Sequence, residues 1–432
     1  MKPYSIDLEQ MLEARERRVS IQNKMLTGAG DGQCLVCLTM NIAGDIKCTP
    51  MTRMLFKAGV EELEALGLMA RESFFLDEPT GSEGFWLLDE EGPRVKALLE
   101  EVEDSFPAAR LFDFDVIMPG GTKLSRAAGR RCLICDAYAV ECARSRRHGL
   151  EEVKRATGEL LKGFCAGRLA QAAHDALMDE LYTTPKPGLV DMNNNGAHKD
   201  MDVPLFEKSA DALAPYFEDV ARLGMECCGI GPLRVRGRKA EEEMFAATGG
   251  VNTHKGLIYS MGLLLAGMGR SLIEGGSCIG HAAALAREDA GDQLAKAFAD
   301  PATNGGKVYK KYGAKGATGE AAGGFPDAVY CLERLSFYRN TGCDHPASLA
   351  LCDSMAALED TNLLHRGGRE GLAYVRQAAG KISEMPAAER VDALNALDRE
   401  LISQGLSPGG SADMLALALL LERWRVLSEK CM

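Results

Sequence analysis

The pattern of apolar residues changes between residues 150 and 165 of this 432-residue chain. Before this stretch, short β-rich runs such as Cys34–Met40 and Phe112–Ile117 alternate with segments of helical periodicity. After it, nearly every periodic segment is long and helical, and the connections are rich in Gly or Pro. The change predicts an N-terminal α/β (α+β) domain over residues 1–155 and a larger all-α helical domain over residues 163–432.

The helices expected in the second half follow from apolar residues that recur at helical spacing. They cover residues 169–181, 206–223, 255–268, 278–298, 349–362 and 413–427. The charged stretch 149–155 is interpreted as a connecting helix or a linker.

Charge and cysteine content restrict the binding partners and the cellular location that can be expected. The formal net charge of -12 argues against nonspecific nucleic-acid or membrane-surface binding, although it leaves room for local basic pockets. Residues 1–10 have no basic region followed by an apolar core, and no apolar run is long enough to suggest a membrane span. The fourteen cysteines are scattered without a secretion signal, which favours reduced thiols. We therefore expect a soluble cytoplasmic protein that binds neither nucleic acid nor membrane.

Two aspartates alternate with apolar residues in the run 112–117. On a strand, residues two apart face the same side, so Asp113 and Asp115 present paired carboxylates while their neighbours face the core. Such a pair can hold Mg2+, which prefers oxygen ligands and neutralises phosphates. The alternation is equally compatible with a half-exposed strand that carries two solvated aspartates.

Cysteine, histidine and arginine cluster after this strand. Three cysteines and a histidine follow the spacing Cys-x2-Cys-x6-Cys-x5-His, which could complete a tetrahedral zinc site: Cys132, Cys135, Cys142 and His148. Only one close pair of cysteines is present, however. The favoured interpretation is therefore buried or redox-neutral thiols beside an arginine-rich, phosphate-binding surface that includes Arg130 and Arg131.

Two segments of the second half crowd Gly, Pro, Asn, His and Lys between helices. Residues 183–198 and 247–256 have the composition of functional loops on a rigid scaffold, and they indicate an anion-binding site. Several candidate phosphate ligands lie in these segments or in the Gly-rich stretch 313–324: Lys186, Lys255, Lys315, Gly316, Gly323 and Gly324. A flexible surface loop is the alternative for that stretch. No Gly-x4-Gly-Lys-Ser/Thr sequence occurs, which disfavours a P-loop phosphoryl transferase.

Acidic and histidine candidates complete this predicted site. They are Asp191, Glu359, Asp360, Asp413, His198 and His254. Ser411 is placed to cap a helix, with Asp413 in its first turn. Each carboxylate taken alone is better explained by a cap or a solvated side chain, and each histidine alone is a weak signal.

The same motifs carry a resemblance to two known families, in order along the chain. From about residue 163 the chain resembles triphosphoribosyl-dephospho-CoA synthase, through residues 184–191, 250–256, 359–362 and 407–413. From about residue 12 to residue 148 it resembles apo-citrate lyase phosphoribosyl-dephospho-CoA transferase (holo-citrate lyase synthase). That resemblance rests on residues 110–116, 124–126 and 131–135, continuing to His148.

The resemblance implies a fused, bifunctional transferase. Its second half would join ATP to 3'-dephospho-CoA, release adenine and form 2'-(5''-triphosphoribosyl)-3'-dephospho-CoA. Its first half would transfer phosphoribosyl-dephospho-CoA to a serine of the acyl carrier (gamma) subunit of citrate lyase and release pyrophosphate. Two alternatives remain open: the same chemistry serving malonate decarboxylase, or a first half that is a zinc-bound carrier-docking module without transferase activity.

The resemblance also suggests roles for individual residues. In the second half, carboxylates would bind metal or stabilise an oxocarbenium ion, lysines would bind phosphates, and a histidine would assist proton transfer: Asp191, Glu359, Asp360 and Asp413; Lys186 and Lys255; His198 or His254. In the first half, Asp113 and Asp115 would hold Mg2+, and three arginines would bind phosphates: Arg126, Arg130 and Arg131.

Overall fold

The computed structural model describes residues 4–126, 128–135, 137–299 and 303–429. Within these residues the chain forms two compact units. The first comprises the N-terminal part as far as Cys165 and also takes in Leu272–Glu274. The second comprises Ala166–Ser271 and Gly275–Val426. Each unit has its own secondary-structure composition.

The first unit combines helices with a small sheet. Its elements in chain order are α1 (Leu8–Leu26), β1 (Cys34–Met40), α2 (Pro50–Ala65), β2 (Ala70–Glu78), β3 (Gly81–Leu88), α3 (Gly92–Asp104), a 3-10 helix (Pro107–Leu111), β4 (Phe112–Ile117) and α4 (Ala139–Ser145). Strands β1 and β4 lie where the sequence predicts them. Strands β2 and β3 were not predicted, and most of β2 is exposed, so it lacks the apolar alternation of a half-buried strand.

The four strands form one antiparallel sheet in the order β2-β3-β1-β4. One face packs against α2 and α3 around side chains such as Leu38, Phe56 and Leu99. The other face packs against α1 through Met25 and Cys37. Burial of both faces accounts for the continuous apolar run of β1, the central strand that pairs with both β3 and β4.

The described residues of the second unit form helices joined by loops, with no strand among them. Its helices are α5 (Leu150–Tyr182), α6 (Val203–Met225), α7 (Ile230–Ala247), α8 (Lys255–Glu274), α9 (Cys278–Arg287), α10 (Ala290–Ala299), α11 (Asn304–Tyr312), α12 (Gly316–Gly323), α13 (Pro326–Asn340), α14 (Pro346–Ala357), α15 (Thr361–Glu384), α16 (Ala387–Gln404) and α17 (Gly409–Ser428). Of α5 the residues up to Cys165, of α8 Leu272–Glu274 and of α17 the residues from Leu427 are grouped with the first unit. The predicted fold class, an α+β domain followed by an all-α domain, is confirmed.

Two predicted helices differ from the observed ones. The segment 278–298 is divided into α9 and α10, and 349–362 is divided into α14 and α15. The second break has a clear cause, because the side chain of Asp360 accepts hydrogen bonds from the backbone N–H groups of Asn362 and Leu363. This is the arrangement of a helix N-cap, so a new helix begins there.

Helix α8 is apolar along most of its length. Among the described residues it is the one helix whose length and composition would suit a membrane span, and it was not predicted as one. Of its most apolar window, 78% is buried inside the protein. Packing within the chain therefore accounts for its apolar character.

Glycines allow α8 and α6 to approach each other closely. A Cβ atom on Gly224 of α6 would lie 2.1 Å from the carbonyl oxygen of Ala266, and a Cβ atom on Gly269 of α8 would lie 2.2 Å from the carbonyl oxygen of Ala221. Real Cβ atoms do not approach backbone so closely. The separation of the two helices is therefore set by the absence of side chains at these positions.

We expect Gly224→Ala to destabilise the protein by about 1–3 kcal/mol, since α6 and α8 would have to separate to admit the methyl group. Gly167→Ala on α5 is the matched control, because a Cβ atom there meets nothing within 4 Å. A helical Gly→Ala change without a clash is neutral or stabilises by up to about 1 kcal/mol. Urea unfolding of both variants checks this, and equal midpoints would contradict it.

Candidate functional site

A cleft of about 1410 Å³ opens in the helical unit. Most of the site residues predicted for the second half line it: Lys186, His198, His254, Lys255, Lys315, Gly316, Glu359, Asp360 and Asp413. Four predicted residues are not part of its lining, namely Asp191, Ser411, Gly323 and Gly324. Sequence segments more than two hundred residues apart thus meet at one cavity.

Segment 183–198 is held in shape by two carboxylates. Asp191 accepts hydrogen bonds from the backbone N–H groups of Lys186 (2.9 Å), Asn193 (2.8 Å) and Asn194 (3.0 Å). Asp398 of α16 accepts from the N–H of Gly188 (2.8 Å) and from the Asn194 amide (2.9 Å). Asp191 therefore braces the loop, with its oxygens directed at the backbone.

Asp360 joins the first turns of two helices. One of its oxygens accepts from the N–H groups at the start of α15, and the other accepts from the backbone N–H (2.9 Å) and the hydroxyl (3.1 Å) of Ser411. The motifs 359–362 and 407–413 are thus linked through one carboxylate that is 1% exposed. Burial raises its pKa, and the N–H donors oppose that shift.

Asp413 lies one turn into α17 and faces the cleft. Burial of the carboxylate, together with the negative charges of Asp360 and Glu180, raises its pKa well above the usual range. Its Oδ2 atom is 3.2 Å from where a Cβ atom on Gly256 would lie, so a side chain at Gly256 would crowd it. A carboxyl group in such surroundings retains its proton more readily than ordinary aspartates.

The two histidines differ in their surroundings. His254 is buried, and its Nδ1 atom is 2.8 Å from the Ser209 hydroxyl. Burial, reinforced by the charge of Lys186, lowers its pKa to about 4, so it is neutral at physiological pH. His198 is half-buried, with Nε2 2.9 Å from Ser407 Oγ.

Arg366 determines which form of His198 is present. Its Nη2 atom donates to His198 Nδ1 across 3.3 Å, which assigns the remaining ring proton to Nε2. Burial and the positive charge of Arg366 lower the pKa of His198. A neutral imidazole therefore links segment 183–198 to the motif that begins at Ser407.

The predicted phosphate-binding lysines are not equivalent. Lys186 is buried, and its Nζ atom contacts the carbonyl oxygen (2.8 Å) and Oε1 (2.7 Å) of Glu180. Lys255, the first residue of α8, is half-buried and pairs with Glu241 Oε2 at 2.6 Å. Lys315 is exposed and makes no ion pair with any described residue. Lys255 and Lys315 are therefore the lysines of this set with access to a ligand in the cleft.

The Gly-rich stretch 313–324 is mostly helix. Residues from Gly316 form α12, and Gly324 ends it in the left-handed conformation, with φ of 91°. Only its first part, including Lys315 and Gly316, lines the cleft. The N-terminal end of α12 thus lies beside the cavity, whereas Gly323 and Gly324 form its far end.

Other cleft residues were missed by sequence reasoning. Arg238 of α7 is exposed in the lining and makes no ion pair within the described ranges. Tyr259 of α8 has a buried hydroxyl without a hydrogen-bond partner among described groups. No local pattern pointed to either residue, because Arg238 belongs to a charged helix and Tyr259 to an apolar one.

The N-terminal unit places Asp113 and Asp115 side by side on the face of β4 that is directed towards α1. Asp113 is 3.1 Å from Arg130 Nη2, and Asp115 is 2.5 Å from Lys123 Nζ. Burial raises the pKa of Asp115, the hydrogen bond from Lys123 opposes the shift, and the charge of Asp113 adds to it. The pair is half-buried and accessible, as the metal hypothesis requires.

Glu103 organises the arginines nearby. It is 1% exposed and contacts Arg126 Nη1 (3.1 Å), Arg130 Nη2 (2.5 Å) and the N–H of Phe114 (2.9 Å). Burial raises its pKa, while Arg130 and the Phe114 amide oppose that shift. Arg131 instead stacks on the ring of Tyr138, 4.5 Å from its centroid. Arg130 therefore links the buried carboxylate to Asp113.

Glu83 and Arg18 extend this polar group and were not predicted. Phe85 and Asp115 both pair with Cys37, so Glu83, two residues from Phe85, shares the sheet face of Asp115. Glu83 Oε1 pairs with Arg18 at 2.6 Å, and its Oε2 is buried without a partner among the described atoms. Glu83 lies in an otherwise apolar strand, which hides it in the sequence.

The Cys/His cluster is also assembled. The ligand atoms of its four members all lie within 4.8 Å of one another: Cys132, Cys135, Cys142 and His148. Cys142 is buried, and the other two cysteines are half-buried.

Comparison with known proteins agrees with this division of the chain. Residues 166–431 match the family of ATP:dephospho-CoA triphosphoribosyl transferases. Residues 6–164 match the family of apo-citrate lyase phosphoribosyl-dephospho-CoA transferases. Each match corresponds to one of the two resemblances inferred from the sequence.

Individual relatives repeat the pattern. Protein CitXG of Haemophilus influenzae is 34% identical, and the alignment covers 97% of this chain and 97% of that protein. Protein CitXG of Leuconostoc mesenteroides subsp. cremoris is 29% identical with the same coverage. The 2-(5''-triphosphoribosyl)-3'-dephosphocoenzyme-A synthase of Escherichia fergusonii is 38% identical and aligns with 59% of this chain and 90% of its own length.

These matches confirm both resemblances and the prediction of a bifunctional transferase in the biosynthesis of the citrate lyase prosthetic group. The chain belongs to the ATP:dephospho-CoA triphosphoribosyl transferase family, fused behind a member of the apo-citrate lyase phosphoribosyl-dephospho-CoA transferase family.

Proposed function

We propose that the helical unit joins ATP to 3'-dephospho-CoA with release of adenine, giving 2'-(5''-triphosphoribosyl)-3'-dephospho-CoA. The N-terminal unit then transfers the phosphoribosyl-dephospho-CoA part of this product to a serine of the citrate lyase acyl carrier subunit and releases pyrophosphate. The observation that carries the proposal is the convergence of segments 184–191, 250–256, 359–362 and 407–413 around one cleft. Family membership supports the two reactions, and the geometry supports the following roles.

Asp413 protonates the departing adenine. Breaking the N-glycosidic bond leaves negative charge on the base and oxocarbenium character on the ribose, so a proton donor at the base lowers the barrier. Asp413 suits this role because enclosure and the charges of Asp360 and Glu180 favour its protonated form. Asp360 is held by four hydrogen bonds and supplies the fixed negative charge.

The triphosphate of ATP lies against the basic side of the cleft. Lys255, Arg238 and Lys315 line the cavity, and the N-terminal end of α12 adds backbone N–H groups. Lys186 is already paired with Glu180, so we assign it a structural role in the wall of the cleft. The triphosphate is bound and kept intact, which agrees with the lack of a P-loop sequence.

The 2'-hydroxyl of dephospho-CoA attacks the ribose, and its proton goes to Glu359. This carboxylate is exposed in the cleft next to Asp360 and makes no hydrogen bond or ion pair with the residues that the structure describes. A carboxylate that is exposed in the cleft can accept a proton as the new bond to ribose forms. His198 holds Ser407 and Arg366 in place, and His254 anchors the start of α8 on Ser209.

In the N-terminal unit, Asp113 and Asp115 fit Mg2+. They are oxygen ligands on one strand face, and the partnerless Glu83 Oε2 is an acceptor on that same face. When bound, Mg2+ would polarise the attacked phosphate and neutralise the departing pyrophosphate. Arg126 and Arg130 bind phosphate oxygens at the edge of this face, and Glu103 fixes their direction.

The remaining parts of the proposal concern partners and setting. We assign the carrier as that of citrate lyase, because the N-terminal family is named for it; a malonate decarboxylase carrier is the comparison to run beside it. We place the reaction in the cytoplasm, since both substrates are soluble nucleotides. The decisive assay is mass spectrometry of apo-carrier incubated with the chain, ATP, Mg2+ and dephospho-CoA, with adenine measured in the same sample. Absence of adenine release would overturn the synthase assignment.

Asp413→Asn should lower adenine release about 10²–10³-fold, because the donor of the leaving-group proton is lost. Transfer from premade triphosphoribosyl-dephospho-CoA to the carrier should be unchanged. The control is Asp392→Asn, which replaces an exposed aspartate of α16. Normal adenine release by Asp413→Asn would contradict its role.

The rate of adenine release should also depend on pH. Asp413 acts when protonated, so the rate should fall as pH rises through its elevated pKa. A pH–rate profile under saturating substrates should show this falling limb in the native chain and lose it in Asp413→Asn. If the falling limb persists in the variant, it is caused by the titration of another group.

Asp113→Asn combined with Asp115→Asn should lower transfer to the carrier by about 10²-fold or more, since metal contributes several kcal/mol to such transition states. Adenine release should be retained, because the synthase residues lie in the helical unit. Asp31→Asn, at an exposed position of the same unit, is the control. If the double variant transfers normally, the carrier-docking alternative gains support.

A further inference from the structure

Four potential metal ligands meet in the first unit: Cys132, Cys135, Cys142 and His148. We propose that they hold one structural Zn2+ ion. The sequence alone favoured unliganded thiols, because only one pair of cysteines is close in the chain. The structure supplies what the spacing did not, since the other two ligands are brought to that pair by a helix and its C-terminal turn.

The distances suit tetrahedral zinc. With Zn–S bonds of about 2.3 Å and Zn–N bonds of about 2.0 Å, tetrahedral ligands lie about 3.8 Å (S to S) and about 3.5 Å (S to N) apart. The Sγ atoms of Cys135 and Cys142 are 3.5 Å apart, and His148 Nε2 is 3.3 Å from Cys135 Sγ. A small contraction or expansion of the cluster would admit the ion.

The first two ligands lie on a tight hairpin. Arg131 and Tyr138 form an isolated antiparallel bridge, and the N–H of Cys132 donates to the carbonyl of Ala137 across 2.8 Å. Within the turn, the N–H of Ile134 points at Cys132 Sγ from 3.4 Å. A backbone N–H directed at sulfur stabilises a thiolate, which is the form that binds metal.

The other two ligands come from α4 and the residues after it. Cys142 lies in α4, whose last turn ends at Arg146 in the left-handed conformation, with φ of 49°. This reversal brings His148 back beside Cys135. The Nδ1 atom of His148 is 3.4 Å from Glu152 Oε2, while its Nε2 faces the sulfur. A carboxylate behind a histidine is the usual outer partner of a zinc-bound imidazole.

A disulfide explains the cluster less well. Cys135 and Cys142 are both free and 3.5 Å apart, whereas bonded sulfurs lie about 2.05 Å apart. A redox pair would also leave Cys132, His148 and Glu152 without a reason to converge. Three thiols and one imidazole within 4.8 Å of one another favour zinc over the oxygen-preferring Mg2+ and Ca2+.

The ion would fix the position of the segment that carries Arg130. Arg130 immediately precedes the hairpin bridge, and its carbonyl accepts from the N–H of Ala139 across 2.8 Å. Arg110 anchors the same hairpin through the carbonyls of Arg131 (3.1 Å) and Cys132 (2.7 Å). Zinc therefore acts as a positioning element: it holds the segment that directs Arg130 at Asp113.

Co2+ substitution tests the proposal on the full chain. Protein treated with chelator under reducing conditions should bind one equivalent of Co2+ with the visible bands of a tetrahedral site and a sulfur charge-transfer band, and Zn2+ should displace it. Cys135→Ser and Cys142→Ser should abolish the tetrahedral spectrum. Cys48→Ser, a half-buried cysteine of the same unit outside the cluster, should leave it unchanged.

A ligand exchange separates metal binding from a folding defect. His148→Ala should weaken binding at least about tenfold, whereas His148→Cys should restore a tetrahedral site with a stronger sulfur band. Adenine release, which depends on the helical unit, should persist in every variant and shows that this unit is folded, whereas recovery of the tetrahedral site in His148→Cys shows that the first unit is folded. No tetrahedral spectrum in the native chain, or one that survives Cys135→Ser, would overturn the proposal.

Discussion

The buried carboxylate of Asp360 is the interaction on which the helical unit depends. It ends the α14 segment by capping α15, and it receives both the backbone and the side chain of Ser411 at the start of α17. A buried carboxylate without donors would be strongly unfavourable, so its four hydrogen bonds fix the two helix ends relative to each other. Asp413, one turn further, takes its position from this link.

Carboxylates that accept hydrogen bonds from backbone N–H groups occur in both units. Asp191 and Asp398 shape segment 183–198 by accepting backbone N–H groups, and Glu103 accepts the N–H of Phe114 while holding two arginines. In each case the carboxylate has a structural role, and residues next to it remain available to a ligand. Acidic residues in one sequence motif therefore divide into two functions: some hold the loop, and their neighbours face the cavity.

Burial and hydrogen bonding give chemically similar residues different pKa values and different roles. His254 and His198 both sit in polar loops, yet full burial beside Lys186 makes the first a neutral anchor, whereas the second remains at the cleft surface. Asp360 is buried and Asp413 is half-buried, but only the first has a full set of hydrogen-bond donors. The pKa of Asp413 is therefore raised further than that of Asp360.

The sequence by itself determined the two-part fold, the central and edge strands β1 and β4, and the pair Asp113 and Asp115, because period and alternation are local properties of the chain. It also determined membership of both families, through four short motifs in the second half and further ones in the first. Only the tertiary structure decided which residues face the cleft: Asp191 turned inward to the backbone, Gly323 and Gly324 became the end of a helix, and Arg238 and Tyr259 joined the lining. It likewise brought His148 to Cys135. These outcomes depend on contacts between residues distant in sequence, and no local pattern of side chains encodes which of two polar groups will find its hydrogen-bond partner inside the protein.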